Sequence, residues 1–301
     1  LLFVGMQAVV GVVISAGYGA VKGAQLGQQL QAEAQAEGRV LTMEELSLKI
    51  SEIATEEVTD FVYENAILLA VVADILAVLI VWLFFVIRKK KFANEVNIRR
   101  IDNQLYPWLV LLGASLAFVV LGVLSLLPEE VMEEYGEASS MLVTTPSFLS
   151  ILAEVVLVPV CEEIFFRGLI FSRLKKAMPV VWALVISAVL FGIVHGTNPV
   201  WFGYAFALGC VFAFTVYKTG SIVSSMILHM VFNLLGGTVL PMALEYVPDV
   251  VFYVAALLSL ACAVVVLGKL AKLKQLEGTD DSKGSPVSAF DPSDPNRFRE
   301  V

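Results

Sequence analysis

Residues 161–171 read CEEIFFRGLIF, and they lie inside a stretch, 148–171, that reads as otherwise apolar and is long enough to cross a bilayer as a helix. Two adjacent carboxylates, Glu162 and Glu163, and one guanidinium, Arg167, sit in it. A charge near the bilayer centre costs on the order of 3 kcal/mol even on lenient insertion scales, so three together must pair with one another or serve a function. Glu163 and Arg167 are four residues apart, one turn along one helix face, and are expected to form an ion pair. Glu162 is turned about 100° away around the same helix, which leaves it to face a different neighbour.

Working outward, the chain has 301 residues, of which 58% are hydrophobic and only 16% charged, with a mean hydropathy of +0.83. Many apolar runs reach membrane-spanning length, so the expected fold is all-α, a polytopic membrane helical bundle. The net charge of -8 is segregated by loop and suggests no nucleic-acid partner. The lipid bilayer is the expected environment. Cys161, Cys210 and Cys262 all fall in apolar spans, with neither a disulfide framework nor a metal-type spacing.

About eight spans are expected. The first, 1–21, is rich in Gly and Ala, which suits close packing in lipid. Residues 22–64 carry nine acids against three bases. There Thr42 and Glu45 make a capping-box pattern, followed by Leu46, Ile50, Ile53 and Phe61 at roughly helical spacing, which predicts an amphipathic helix outside the membrane. The second span, 66–87, contains Asp74, expected to be a neutral group hydrogen-bonded between helices, with a functional role as the other possibility. The third, 107–127, leads into a loop holding Glu129, Glu130, Glu133, Glu134 and Glu137. The fourth carries the central stretch and ends at Arg173, Lys175 and Lys176. Spans five to eight fall at about 180–195, 200–217, 221–239 and 250–267. Three regions are expected: N-terminal spans with the acidic segment at 1–146, a membrane core at 147–268, and a disordered cytoplasmic tail at 269–301.

Basic residues set the orientation. The loops after spans two, four and six hold 6, 3 and 1 Lys or Arg and the residues closing span eight hold 3 (Lys269, Lys272 and Lys274), and the alternate loops hold 3, 0, 0 and 0. Eight spans then thread with both termini cytoplasmic.

The chain has two histidines, and both lie in membrane spans: His195 in LFGIVHG and His229 in ILHMVFN. His229 and Asn233 are four apart, so both project from one helix face. Two histidines, an asparagine and a carboxylate pair on three spans point to one polar site. A desolvated Glu can act as general base to a water, with a neighbouring His sharing the proton or orienting the water. The second His and the Asn can donate to a developing oxyanion. Zinc is the rival, since two His and one Glu are a zinc ligand set, although no H-E-x-x-H occurs. A Ser or Cys nucleophile has less support, because no Gly-x-Ser-x-Gly appears and nothing marks Cys161 as a thiolate.

EEIFFR, FGIVH and HMVFN match, in order, the E-E-x-x-x-R, F-x-x-x-H and H-x-x-x-N motifs of the CPBP family, which comprises the CAAX proteases and bacteriocin-processing enzymes and is also called the Abi family. The resemblance covers about residues 147–240. It implies an intramembrane glutamate-type endopeptidase acting on a membrane-anchored or lipidated peptide or protein. By that resemblance Glu162 and His195 activate water, His229 and Asn233 hold the oxyanion, and Glu163 with Arg167 buttress the site, with no cofactor and no metal. A bacterial plasma membrane is the expected location. The alternative is a noncatalytic membrane scaffold or regulator that retains the polar site as a structural network.

Overall fold

The computed structural model describes residues 2–140, 147–196 and 198–273, and no strand occurs among them. The expected tail from residue 274 onward lies outside the described residues.

Helix α1 (Leu2–Ala36) continues well past the expected end of the first span. Its second half is rich in Ala, Gln and Leu, good helix formers, and it gains a partner in α2 (Met43–Glu64). Ile50 and Val58 of α2 lie against the small-residue face of α1, and Tyr18 stacks on Phe61 with ring centres 4.1 Å apart. Lys22 and Glu57 close the pair at 2.7 Å. The capping box is present: the Thr42 hydroxyl accepts from the Glu45 amide at 3.2 Å, and the Glu45 carboxylate accepts from the Thr42 amide at 2.9 Å. Helix α3 (Ala66–Ile87) coincides with the expected second span. Within it Asp74 is buried and accepts a hydrogen bond from Gln7 of α1 at 2.9 Å, which ties α1 to α3.

A single turn, α4 (Phe92–Glu95), interrupts the basic linker before α5 (Tyr106–Leu124). The acidic segment that follows was expected to be a loop and instead forms α6 (Glu129–Ser140). Glu129 and Glu130 lie in its first turn, where negative charge meets the positive end of the helix dipole. Tyr135 of α6 packs edge-on against Trp201 at 6.0 Å.

Residues 148–171, expected as one helix, belong to a rod of changing pitch that runs on to Ala177. It consists of α7 (Phe148–Leu152), a π-helical segment (Ala153–Leu157), α8 (Val158–Glu163), a second π segment (Ile164–Phe171) and α9 (Ser172–Ala177). The remaining elements are α10 (Val180–Val194), α11 (Pro199–Thr219), α12 (Ile222–Phe232), a third π segment (Asn233–Val239), α13 (Leu240–Leu244) and α14 (Asp249–Ala271).

Among the described residues six helical stretches are long and apolar enough to cross a membrane, and the protein is a polytopic integral membrane protein. The other two expected spans are α10, whose 15 residues rise only about 22 Å against a hydrocarbon core of about 30 Å, and the charge-bearing rod. One apolar core draws on both sides of the expected boundary at 146. Leu109 and Leu112 of α5 share it with Phe165, Phe166, Phe191, Phe212 and Leu228, and Phe3 of α1 reaches Phe165 at 5.0 Å. The rod is thereby enclosed by α3, α10, α11 and α12.

The linker before α5 is fastened to the rod through Glu95, which accepts from Lys90 at 3.1 Å and from Arg173 at 2.7 Å. Partial burial pushes the Glu95 carboxyl up, and these two cations more than reverse that, leaving it below the ordinary carboxylate value. A lowered folded-state pKa means stabilisation that is present above the unfolded value and lost as pH falls through the folded one. Glu95→Gln should therefore lower stability at neutral pH by about 0.2–1 kcal/mol, as surface ion pairs do. The gap from wild type should close in acid, and thermal melts at both pH values check this.

Candidate active site

The central stretch ends α8 and opens the second π segment, and that change of pitch is where the charges sit. Glu163 and Arg167 are fully buried and form the expected pair, with Arg167 Nη1 donating to Glu163 Oε1 at 2.9 Å. Arg167 Nη2 donates to the Gly209 carbonyl at 3.2 Å. A Cβ on Gly209 would stand 3.4 Å from Nη2 and 3.1 Å from the Ala188 Cβ, so a bare backbone is what lets α11 come close to both. The guanidinium also lies 4.2 Å from the Phe191 ring centre and 5.0 Å from that of Phe212. Cation–π contact of this kind offsets part of the cost of removing Arg167 from water.

Glu163 Oε1 accepts a second hydrogen bond, from His229 Nδ1 at 3.1 Å. Because a carboxylate paired with Arg167 can only accept, Nδ1 of His229 carries the proton. Arg167, Glu163 and His229 thus form a buried chain in which the charge pair fixes the imidazole. The other face of His229 turns toward Glu162, with Nε2 3.7 Å from Oε2. His195, at the end of α10, approaches the same carboxylate from another side, with Nε2 4.0 Å from Oε1. Its Nδ1 donates to the Phe191 carbonyl at 2.7 Å, so in the neutral ring Nε2 bears the lone pair. Both separations exceed hydrogen-bond range. Glu162 is therefore held between two imidazoles and bonded to neither, and its Oε2 has no hydrogen-bond partner among the described residues.

The structure brings five of the six expected residues, Glu162, Glu163, Arg167, His195 and His229, into one cluster. Asn233 lies one turn beyond His229, where the third π segment begins, and its Nδ2 donates to the Glu154 carbonyl at 3.0 Å. That carbonyl belongs to the first π segment, and the second has a matching donor, since Ser187 Oγ bonds the Phe166 carbonyl at 3.1 Å. Widened turns displace backbone carbonyls, and a side chain from a neighbouring helix takes up one carbonyl of each.

Glu154 is the residue that the sequence reading missed. The stretch 148–171 reads as apolar apart from its three central charges, yet Glu154 is a carboxylate two turns before Glu162, and an acid inside a spanning stretch is signal enough. Cys161 is buried beside Glu162. No group of three or more His, Cys, Asp or Glu side chains suited to holding a metal ion occurs among the described residues.

These features define a polytopic helical membrane protein with a carboxylate–histidine cluster buried among its helices. Residues 144–235 match the family model described as Type II CAAX prenyl endopeptidase Rce1-like. Among curated proteins, a Bacillus subtilis (strain 168) protein described as "Putative membrane peptidase YdiL" is 35% identical over 85 residues, which are 28% of this chain and 34% of that protein. The chain thus matches about a third of the length of that relative. No solved structure matches the chain significantly.

Removing one partner of a buried pair leaves the other uncompensated and can cost about 3–5 kcal/mol. Arg167→Ala should accordingly lower the melting temperature more than Glu162→Gln does. Adding Glu163→Gln to Arg167→Ala should recover part of the loss, as coupled neighbours do, and a thermal-shift series on the three variants checks both statements.

Proposed function

We propose that this protein is an intramembrane endopeptidase that hydrolyses a peptide bond of a membrane-anchored or lipidated peptide or protein, in a bacterial plasma membrane with both termini cytoplasmic. The observation that carries the proposal is Glu162, a buried carboxylate 3.7 and 4.0 Å from two imidazole nitrogens and bonded to neither. A carboxylate so placed has an oxygen available to a water, and the imidazoles are near enough to share in orienting it. The family match supports the same chemistry, because it spans all six residues.

In this mechanism Glu162 takes a proton as a water oxygen adds to the scissile carbonyl carbon. His195 presents its Nε2 lone pair to the same water. The carbonyl oxygen becomes an oxyanion, which receives hydrogen bonds from His229 Nε2 and from Asn233. With Nδ1 donating to Glu163, His229 can donate from Nε2 only as the imidazolium. Asn233 has two N–H groups, and with one given to the Glu154 carbonyl the second is available to the substrate. Collapse of the tetrahedral intermediate breaks the C–N bond, and the proton held by Glu162 passes to the leaving amine. Glu163 and Arg167 touch no reacting atom and position His229.

Glu162→Gln preserves shape and removes the base. Turnover of a fluorogenic membrane-anchored peptide by purified protein should fall by at least 10²- to 10⁴-fold while the melting temperature stays near that of wild type. Equal turnover in matched folded samples would contradict the assignment. Hydrolysis should also survive exhaustive treatment with a metal chelator. Loss of activity that added zinc restores, with about one equivalent of metal bound, would replace the base mechanism with a metal one.

A further inference from the structure

Glu154 takes no part in the mechanism above, yet it sits in the same helical rod, two turns from Glu162. Eight residues of pure α-helix turn by about 800°, which would leave the two side chains some 80° apart. The intervening π segment advances less per residue, and so swings Glu154 back toward the Glu162 face. The neighbouring helix answers in antiparallel register. His229 lies beside Glu162, Asn233 bonds the Glu154 backbone, and Gly237, eight residues after His229, lies against the Glu154 side chain. A Cβ on Gly237 would stand only 2.7 Å from Glu154 Oε1, so this carboxylate occupies space that any larger residue there would fill.

Unlike Asp74, Glu163 and Glu95, the Glu154 carboxylate has no hydrogen-bond or ion-pair partner among the described residues, although it is half-buried within a membrane rod. An intramembrane acid with no internal partner is costly and points to an external one. We infer that Glu154 and Gly237 form a subsite for a cationic side chain of the peptide substrate, on the seam where the rod packs against the helix that carries His229, Asn233 and Gly237. This rests on the endopeptidase proposal for what binds there. The two residues are about 12 Å apart along the rod by helical rise, and an extended peptide advances about 3.3 Å per residue. The cationic residue would then lie three or four positions from the scissile bond.

The test is a walk of one Lys along an otherwise uncharged, palmitoylated fluorescent peptide, with affinity read by anisotropy on full-length protein in phosphatidylcholine nanodiscs. One Lys position should bind about tenfold or more tightly than the uncharged peptide, the gain expected of a hydrogen bond to a charged group. In Glu154→Gln the ratio of the two affinities should fall to about one, in a protein that melts like wild type. A wild-type protein indifferent to Lys position, or a Lys preference that survives Glu154→Gln, would overturn the subsite. So would a Lys preference abolished by phosphatidylethanolamine, which would make a lipid ammonium the partner. Because affinity is read without turnover, a protein that binds the Lys peptide by way of Glu154 and cleaves nothing would sink the endopeptidase proposal and leave the cationic subsite standing.

Discussion

The buried chain from Arg167 through Glu163 to His229 is the constraint on which the rest of the site depends. Isolated, each of these groups is expensive to bury, and their mutual attraction repays the desolvation only when geometry is good and the remaining hydrogen-bonding capacity is met. Here the 2.9 Å ion pair, the Gly209 carbonyl and two phenylalanine faces surround the guanidinium, and Glu163 spends the same oxygen on both Arg167 and His229, while Glu163 Oε2 and Arg167 Nε have no hydrogen-bond partner among the described residues. The consequence is orientation. With Nδ1 committed, His229 can turn only Nε2 toward Glu162, and of the two adjacent glutamates Glu162 is the one left without a hydrogen bond. Two adjacent glutamates of identical chemistry thereby acquire different parts, one structural and one chemical, through what surrounds them.

Departures from α-helical pitch serve that arrangement. Three π segments occur in the described chain, and they hold Glu154, Arg167 and Asn233. In lipid every backbone carbonyl displaced by a wider turn needs a partner from the protein, because no water is at hand. Asn233 and Ser187 meet that need for two such carbonyls and in doing so lock the rod to its neighbours. Packing and site geometry are here one set of contacts.

Much of this was legible in the sequence. Hydropathy alone placed α3 at its observed bounds, and the Thr42–Glu45 pattern located the start of α2, because both signals are local. The spacing of four between Glu163 and Arg167 was enough to expect their pair. Three things were not legible. The π segments depend on donors that arrive from other helices, so no local pattern announces them. The full length of α1 was not expected, because the chain turns polar at Lys22 and the packing of α2 along residues 22–36 is a long-range contact. The partner of His229 was also hidden, since spacing relates it to Asn233 and says nothing about which of two adjacent glutamates it meets across the bundle.

The chain has only two histidines, so selective ¹⁵N labelling of histidine gives a spectrum with two imidazoles in it, and a His195→Gln sample assigns them. That spectrum tests the central chain most directly. His229 should show a protonated Nδ1 engaged in a strong hydrogen bond to a carboxylate, and the signature should vanish in Glu163→Gln while that of His195 stays in place. A His229 ring protonated only on Nε2, or one whose Nδ1 signal is unchanged by Glu163→Gln, would show that Glu163 does not hold it and would contradict the account.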